Sequence, residues 1–363
     1  MQLNKLFIAI FGTLTGGFLL FYFLVAFQLQ EFSGSQTRLG GYRESEFGWN
    51  LPQRAFPERE RMHDATTMKD YDRPYDLVII GDSFSHNSEM GWQNYLIDVF
   101  GLSALFIHVD RVAVDELLEQ ESWRLYPPAL VVWSSQESAA VERLLRISRT
   151  MPADGSASLA GERPLIDEWS QKRQIDLRAH VREKDASFLR QLALAGDYLY
   201  KIVIRHLLWN EITGVEVVDS GCPACFSDAE TGRYLSFAGD RAARFGDKQL
   251  VKAAGVLRRI REVVEANGKT RFISLIFPNK IGVYGDIGGG SAGRRLSGTA
   301  LVTPATAGID LLPEFDAAIR RGAVDLYLPN DHHTGWLGYR LTARLIACAL
   351  SLPGEWHCGE PDR

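Results

Sequence analysis

Apolar residues follow two alternating patterns along most of the chain. Short continuous runs bounded by Gly, Pro or Asp predict β-strands at residues 76–80, 104–109, 129–133, 271–277 and 324–328. Stretches with apolar residues three or four apart predict helices at residues 90–101, 113–122, 137–148, 248–268 and 336–350. Apolar strands that alternate with helices indicate a parallel sheet covered on both faces. We therefore expect a three-layer, doubly wound α/β domain over residues 74–350.

Residues 150–245 interrupt this alternation, and we expect them to form a mainly helical insertion. Within them, residues 187–214 are apolar almost all round a helical projection. Such a helix either packs in a core or lies against a membrane or a partner. Residues 31–73 have scattered charge and no clear period, which predicts a tether, and residues 351–363 form a C-terminal tail.

The N-terminal segment predicts a membrane anchor. Residues 6–29 contain no charged side chain and are long enough to cross a hydrocarbon core of roughly 30 Å. We predict one transmembrane helix within residues 1–30. A signal peptide is the alternative, but the apolar stretch exceeds the usual h-region of about 7–15 residues and no clear small-x-small cleavage site follows. Lys5 precedes the segment and Glu31 follows it, which favours an inside N-terminus and an extracytoplasmic, periplasmic domain on a cell inner membrane.

The overall charge argues against one class of partner. The chain has 40 Lys and Arg residues against 45 Asp and Glu residues, a net charge of -5, and no basic stripe. We therefore expect no nucleic-acid binding. The length of 363 residues and the hydrophobic content of 46% allow a substantial core.

The four cysteines can oxidise in an extracytoplasmic compartment. Cys222 and Cys225 form a Cys-Pro-Ala-Cys pair in a loop-like segment, while Cys348 and Cys358 lie near the end. Three pairings are possible, and pairing within each couple is the simplest. Redox or zinc chemistry at Cys-Pro-Ala-Cys is the alternative, but no helix start follows and a second ligand pair is distant. We expect structural disulfides, no metal and no cofactor.

A candidate nucleophile follows the first predicted strand, which ends in Gly-Asp-Ser with Ser83 at its third position. Ligands of doubly wound sheets bind beyond the carboxyl ends of the strands. The serine could equally cap a helix. It becomes a nucleophile where an imidazole takes its proton and a carboxylate orients that imidazole. The last predicted strand ends in Asn-Asp-His-His, which brings Asp331, His332 and His333 to the same edge.

These two motifs, in this order, resemble those of the SGNH (GDSL-type) hydrolase superfamily. The resemblance covers residues 74–139 and 248–350 and implies a flavodoxin-like three-layer fold with Ser83 as nucleophile. Members with an Asp-x-His motif carry a glycine five residues after the histidine, and here that glycine is Gly338.

The same spacing implies His333 as the base, Asp331 as its orienting carboxylate and His332 as a bystander. Other members use Asp-x-x-His, which leaves Asn330 as an alternative orienting group. We prefer Asp331, because a carboxylate stabilises the imidazolium that forms and an amide does not.

The usual oxyanion-hole signature of the family is not evident. Residues 134–138 read Ser-Ser-Gln-Glu-Ser where Gly-x-Asn-Asp is expected. The family geometry implies the Ser83 backbone N–H as one donor. Gly91 and the side-chain amide of Gln136 are candidates for the others.

Residues 277–286 are similar to a Pro-x-Lys-x-x-x-Tyr segment of SGNH-like proteins related to alginate and cell-wall polysaccharide O-acetyltransferases. This likeness makes Lys280 and Tyr284 candidates for binding a glycan, with a surface lysine and a core tyrosine as the alternatives. In the alginate enzymes the Asp-His motif precedes the serine motif, the reverse of the order here. The glycine-rich residues 285–298 lack the ending of a phosphate loop and are expected to form a mobile flap near the cleft.

Anchor and motifs together predict an extracytoplasmic serine O-acyltransferase that acetylates a cell-surface polysaccharide through an acyl-enzyme. Such a transferase would need a multispanning membrane partner to supply acyl groups, because soluble acetyl-CoA is absent outside the cytoplasm. One alternative is an esterase or deacetylase of the same fold. The other is a non-catalytic glycan-binding or assembly subunit, in which the three triad residues would not converge.

Overall fold

The computed structural model describes residues 2–28, 34–56, 62–65, 71–86, 90–111, 114–119, 121–148, 180–181, 196, 198–205, 214–242, 245–285 and 299–352. The strands are β1 Arg54–Ala55, β2 Met62–Ala65, β3 Leu77–Gly81, β4 Ala104–His108, β5 Leu130–Gln136, β6 His180–Val181, β7 Val215–Asp219, β8 Arg233–Phe237, β9 Arg271–Phe277 and β10 Gly308–Ile309. The helices are α1 Gln2–Gln28, α2 Ser35–Gly40, α3 Glu44–Phe47, α4 Trp92–Phe100, α5 Val114–Glu119, α6 Glu121–Leu125, α7 Glu137–Ile147, α8 Gly239–Ala242, α9 Asp247–Glu265, α10 Lys280–Tyr284, α11 Leu312–Arg320 and α12 Trp336–Ala349.

Six strands form a central sheet in the order β10-β9-β5-β3-β4-β2, and every neighbouring pair is parallel. The chain moves outward from β3 to β4 and then returns across β3 to β5. The connection therefore reverses direction between β3 and β5, which is where doubly wound sheets bind ligands. The expected α/β class and parallel sheet are confirmed.

Helices cover both faces of this sheet. Along β3, Leu77 and Ile79 belong to one core cluster, while Val78 and Ile80 belong to the other, as the alternation of side chains along a strand requires. Helices α4 and α12 pack together on the first face, and α7 and α9 pack together on the second. Both faces being buried explains why the inner strands read as continuous apolar runs.

The fifth predicted strand is wrong. Residues 324–328 form no sheet strand, and only an isolated antiparallel bridge joins Tyr327 to Thr334. Asp325 adopts a left-handed backbone conformation with φ 54°, which interrupts an extended chain. The run is apolar because Leu326, Tyr327 and Leu328 are buried in the core, and the strand that pairs with the outer side of β9 is the short β10.

The segment predicted as a tether belongs to the folded domain where it is described. Residues 34–56 contain α2 and α3, and Gln36, Thr37, Tyr42 and Phe47 are buried. Strand β2 extends the sheet beside β4. Helices α2 and α3 have no apolar stripe that a hydropathy pattern would show, because they bury polar side chains that form hydrogen bonds.

Helix α1 covers most of the N-terminal segment, and its side chains are exposed from residue 4 to residue 20. Among the helices in the described ranges, none combines the length and the apolar character that a membrane span requires. The anchor expected over residues 1–30 stays a prediction from the sequence.

The predicted insertion is described only in parts. Residues 198–205 are helical and bury Tyr198 and Ile204, while Tyr200 is 61% exposed, so this part of the helix packs with one face only. The hairpin β7-β8 leads into and out of a disulfide between Cys222 and Cys225. Cys348 is also disulfide-bonded. Its expected partner Cys358, the C-terminal tail from residue 353 and the predicted flap from residue 286 lie outside the described residues.

Candidate active site

Ser83 lies in a tight turn directly after β3 and is exposed. The turn is held by the neighbouring Asp82, whose backbone carbonyl accepts a hydrogen bond from the Ser85 N–H and whose Oδ1 accepts one from the Phe84 N–H at 3.1 Å. Helix α4 begins only at Trp92, with Gly91 at its N-cap. Ser83 therefore does not cap that helix, and the capping alternative is wrong.

The Asp82 carboxylate joins the ends of two neighbouring strands at the switch point. Its Oδ2 accepts a hydrogen bond from the Gln136 N–H at 2.8 Å, at the end of β5, and another from Arg143 Nη1. The same guanidinium also binds Asp110, beyond the end of β4. The buried Asp82 carboxylate accepts hydrogen bonds from Phe84, Gln136 and Arg143, and these bonds fix the turn that presents Ser83.

Asp331 and His333 form the expected pair. Asp331 Oδ1 lies 2.7 Å from His333 Nδ1, and the same oxygen accepts a hydrogen bond from the His333 N–H at 3.1 Å. Asp331 Oδ2 accepts a hydrogen bond from the Ser35 N–H at 3.0 Å. Burial would raise the pKa of the Asp331 carboxyl, but the charge and hydrogen bond of His333 hold this pKa well below its usual range. Asp331 is therefore an ionised partner that fixes the His333 ring.

Asn330 does not orient His333. Its side-chain amide donates instead to the Glu44 carboxylate, at 2.9 Å to Oε1 and 3.1 Å to Oε2. The choice between Asp331 and Asn330, which spacing alone left open, is settled in favour of Asp331 by this geometry.

The serine turn meets the histidine loop through Phe84. The Phe84 ring lies 4.8 Å from the His333 ring and 5.5 Å from the His332 ring, measured between centroids. Ser83, next to Phe84 in the chain, is thus brought to the loop that carries the dyad. In the described part of the structure, His333 Nε2 is buried and has no hydrogen-bond partner. Two of the three expected triad residues are hydrogen-bonded, and the serine bond is not made.

His332 packs beside His333, with ring centroids 3.8 Å apart. The ring is enclosed further by Phe84 and Phe237. Burial, followed by the charge of His333, lowers the pKa of His332 to about 3, so this imidazole is neutral. Asp331, His332 and His333 also form a group whose ligand atoms lie within 4.8 Å of one another and could hold a metal ion.

The two candidate oxyanion donors differ in their surroundings. Gly91 is buried at the start of α4. The Gln136 side chain is already engaged, because its Nε2 donates to Asp240 Oδ1 at 3.2 Å and to Asn279 Oδ1 at 3.3 Å. Gln136 therefore has to exchange partners before its amide can bind an oxyanion.

Lys280 and Tyr284 do not face solvent as glycan-binding groups would. Lys280 is 2% exposed, and burial lowers the pKa of its ammonium to about 7 although Asp331 and Asp240 raise it. Its Nζ donates to the backbone carbonyls of Leu328 at 2.8 Å, Pro329 at 3.2 Å and Asp331 at 2.7 Å. Lys280 thereby holds the loop that carries the dyad.

Tyr284 is fully buried, as in its core alternative. Its hydroxyl oxygen accepts a hydrogen bond from the Tyr327 N–H at 3.2 Å, and burial raises the pKa of the Tyr284 hydroxyl. This tyrosine supports the start of the histidine loop from the core side.

Two parts of the site carry no signal in the sequence. One is the N-terminal segment, which contributes the Ser35 N–H to Asp331 and Gln36 Oε1, 3.1 Å from Lys280 Nζ. The other is Asp240 at α8, whose carboxyl has a pKa raised to about 6 by burial. Both depend on contacts across more than a hundred residues, which no local pattern reports.

Comparison with known proteins provides no relative. No protein-family model matches the chain, and neither a curated protein nor a solved structure matches it. Any functional assignment therefore rests on the residues of the site themselves.

Proposed function

We propose that this chain is an SGNH-type serine O-acyltransferase that transfers an acyl group, in the simplest case acetyl, to a cell-surface polysaccharide. The observation that carries the proposal is the 2.7 Å contact between Asp331 Oδ1 and His333 Nδ1, at the sheet edge where Ser83 is exposed. The position of Ser83 beyond β3, at the reversal point of the sheet, supports it.

In this mechanism His333 Nε2 takes the proton of the Ser83 hydroxyl while Ser83 Oγ attacks the carbonyl of an ester donor. The leaving alcohol receives that proton from His333, and the acyl group stays on Ser83. A sugar hydroxyl then gives its proton to His333 and attacks the acyl-enzyme, which releases the acylated sugar and restores Ser83. The ionised Asp331 stabilises the His333 imidazolium in both steps.

The membrane anchor over residues 1–30 and the extracytoplasmic location belong to the proposal on sequence grounds, because residues 6–29 carry no charged side chain. An acyltransferase in that compartment needs a donor other than soluble acetyl-CoA. We therefore include a multispanning membrane partner that hands acyl groups to Ser83.

The test uses the full chain with a chromogenic acetyl ester, with and without an oligosaccharide acceptor. Acetylated sugar that disappears in Ser83→Ala, but not in the control Ser122→Ala, supports the transferase. Rapid ester cleavage that is indifferent to the acceptor, with no acetylated sugar, identifies the esterase alternative instead. Activity that survives in Ser83→Ala removes the triad assignment altogether.

A non-catalytic glycan-binding subunit is the second candidate, and one observation favours it. His333 Nε2 has no hydrogen-bond partner in the described residues, so the bond to Ser83 that a poised triad needs is not made. Catalytic hydrogen bonds often tighten only when substrate binds. A fluorophosphonate probe distinguishes the two candidates, because it labels Ser83 only if His333 activates that hydroxyl.

A further inference from the structure

Three consecutive residues place metal-binding atoms around one point in the histidine loop. Asp331 Oδ1 lies 3.4 Å from His332 Nδ1 and 2.7 Å from His333 Nδ1. The three side chains are 14–20% exposed. The two imidazole rings pack together with centroids 3.8 Å apart, and one ligand atom from each of the three residues lies within 4.8 Å of the others.

One atom of this group is in an unfavourable position without a ligand. Within the described residues, Nδ1 of His332 is buried and makes no hydrogen bond. A buried polar atom of this kind is destabilising unless it is satisfied by water, an ion or another group. His332 is a bystander in the triad, so acyl transfer does not account for its position.

One of the two ligand separations from Asp331 Oδ1 suits a tetrahedral ion. Zinc binds nitrogen and oxygen ligands at about 2.0–2.2 Å, which puts neighbouring ligand atoms roughly 3.3 Å apart. The separation of 3.4 Å between Asp331 Oδ1 and His332 Nδ1 matches this ligand–ligand distance. The separation of 2.7 Å between Asp331 Oδ1 and His333 Nδ1 is shorter, so His333 has to move away from Asp331 by a few tenths of an ångström when the ion binds. Two imidazoles and one carboxylate also favour zinc over magnesium or calcium, which prefer all-oxygen shells.

We propose that Asp331, His332 and His333 form a binding site for a zinc ion, which replaces the Asp331–His333 hydrogen bond when it binds. The proton on His333 Nδ1 moves to His333 Nε2, which has no hydrogen-bond partner in the described residues, so that Nδ1 can coordinate the ion. The coordinated His333 no longer has Asp331 as its orienting partner. Inhibition by zinc therefore rests on the proposed function, whereas zinc binding itself does not.

Calorimetric titration of the chelator-treated full chain with zinc chloride tests the binding. We expect one zinc ion to bind, His332→Asn to weaken the affinity at least tenfold, and magnesium to give no heat of binding. His86→Asn is the matched control, since His86 lies against Asp64 in an exposed histidine–aspartate pair. Equal affinity of His332→Asn and the unaltered chain, or an equal loss in His86→Asn, overturns the site.

Zinc K-edge X-ray absorption on the unaltered chain keeps the test valid if His332→Asn fails to fold. A shell of nitrogen and oxygen with two imidazoles supports the site, and a shell with sulfur or one imidazole overturns it. Labelling of Ser83 by a fluorophosphonate, with and without zinc, then tests the inhibition. A chain that binds zinc but never labels contradicts the proposed acyl transfer and leaves the metal site standing.

Discussion

The Nζ atom of Lys280 lies 2.7 Å from the backbone carbonyl oxygen of Asp331, so the first residue of α10 holds the residue that orients His333. The Lys280 ammonium donates hydrogen bonds to protein oxygens where water would otherwise bind. Three of these oxygens belong to the loop at residues 328–331 and one belongs to Gln36. A buried charge is tolerated only when it is hydrogen-bonded in this way. The geometry of the dyad is therefore coupled to the core beneath it.

Lys280→Met should destabilise the fold, because it leaves three loop carbonyls and the Gln36 side chain without their donor. Removing one partner of a buried charged network costs about 3–5 kcal/mol, so we expect a loss on that order. Urea denaturation measures it. Lys252→Met, at an exposed position of α9, should stay within about 0.5 kcal/mol of the unaltered chain, and an equal loss in both variants would contradict the loop-holding role.

Asp331→Asn should slow acylation of Ser83 without unfolding the chain. The amide keeps the shape of the carboxylate but cannot stabilise the His333 imidazolium, and the corresponding change in a serine protease triad costs about 10⁴-fold in kcat. We expect a loss of roughly 10³-fold or more in the rate of fluorophosphonate labelling. Asp72→Asn, an exposed substitution, serves as the control, and unchanged labelling of Asp331→Asn would remove Asp331 from the triad.

Gly34→Ala should destabilise the contact between the N-terminal segment and the histidine loop. A Cβ at residue 34 would lie 2.4 Å from both the backbone and the side-chain oxygen of Asn330, so one of the two segments must move. Overpacking of this kind costs about 1–3 kcal/mol. Gly255→Ala is the control, and we expect it to change stability in the opposite direction. A Cβ at this position inside α9 meets nothing within 4 Å, so the substitution should stabilise the chain by about 0.5–1 kcal/mol. Thermal unfolding of the two variants should shift in opposite directions.

Asp228→Asn should stabilise the chain at alkaline pH and leave its stability unchanged in acid. Burial raises the pKa of Asp228 from 3.8 to about 7. Repulsion from the neighbouring Asp325 adds to this rise, while the charges of Lys280 and Arg233 reduce it. Both Asp228 carboxylate oxygens are buried without a hydrogen-bond partner in the described residues. The folded state therefore holds a proton that the unfolded state has lost, and stability falls as the pH rises from about 4 to about 7.

Replacing this carboxyl with an amide removes the pH-dependent loss. The side chain is partly exposed, so solvent screening reduces the energetic effect of the pKa shift. We expect the free energy of unfolding to rise by about 1–2 kcal/mol at pH 8 and not to change near pH 4. Urea denaturation at both pH values, with Asp72→Asn as the control, measures it. A gain that is equal at the two pH values would show that the pKa of Asp228 does not differ between the folded and unfolded states.

The sequence predicted the sheet where burial on both faces forces a continuous apolar run, as at β3, β4, β5 and β9. It misjudged residues 324–328, because an apolar run records burial and not conformation. Asp325 breaks that strand through a backbone angle that hydropathy does not report. The histidine loop nevertheless lies near the expected edge, since the Phe84 ring, just beyond β3, is 4.8 Å from the His333 ring.

The sequence by itself determined the α/β class, the serine turn after β3 and the presence of Asp331 and His333 on one later loop, because periodicity and short motifs are local properties. The tertiary structure decided which group orients His333, why Lys280 is buried and what residues 34–56 do. The Asp331–His333 bond joins two residues of one loop, but the positions of Lys280 and of residues 34–56 depend on hydrogen bonds between segments more than 40 residues apart, such as Ser35 with Asp331 and Lys280 with Leu328. Such bonds form only when the packed core brings the segments together, so no local pattern can encode their partners.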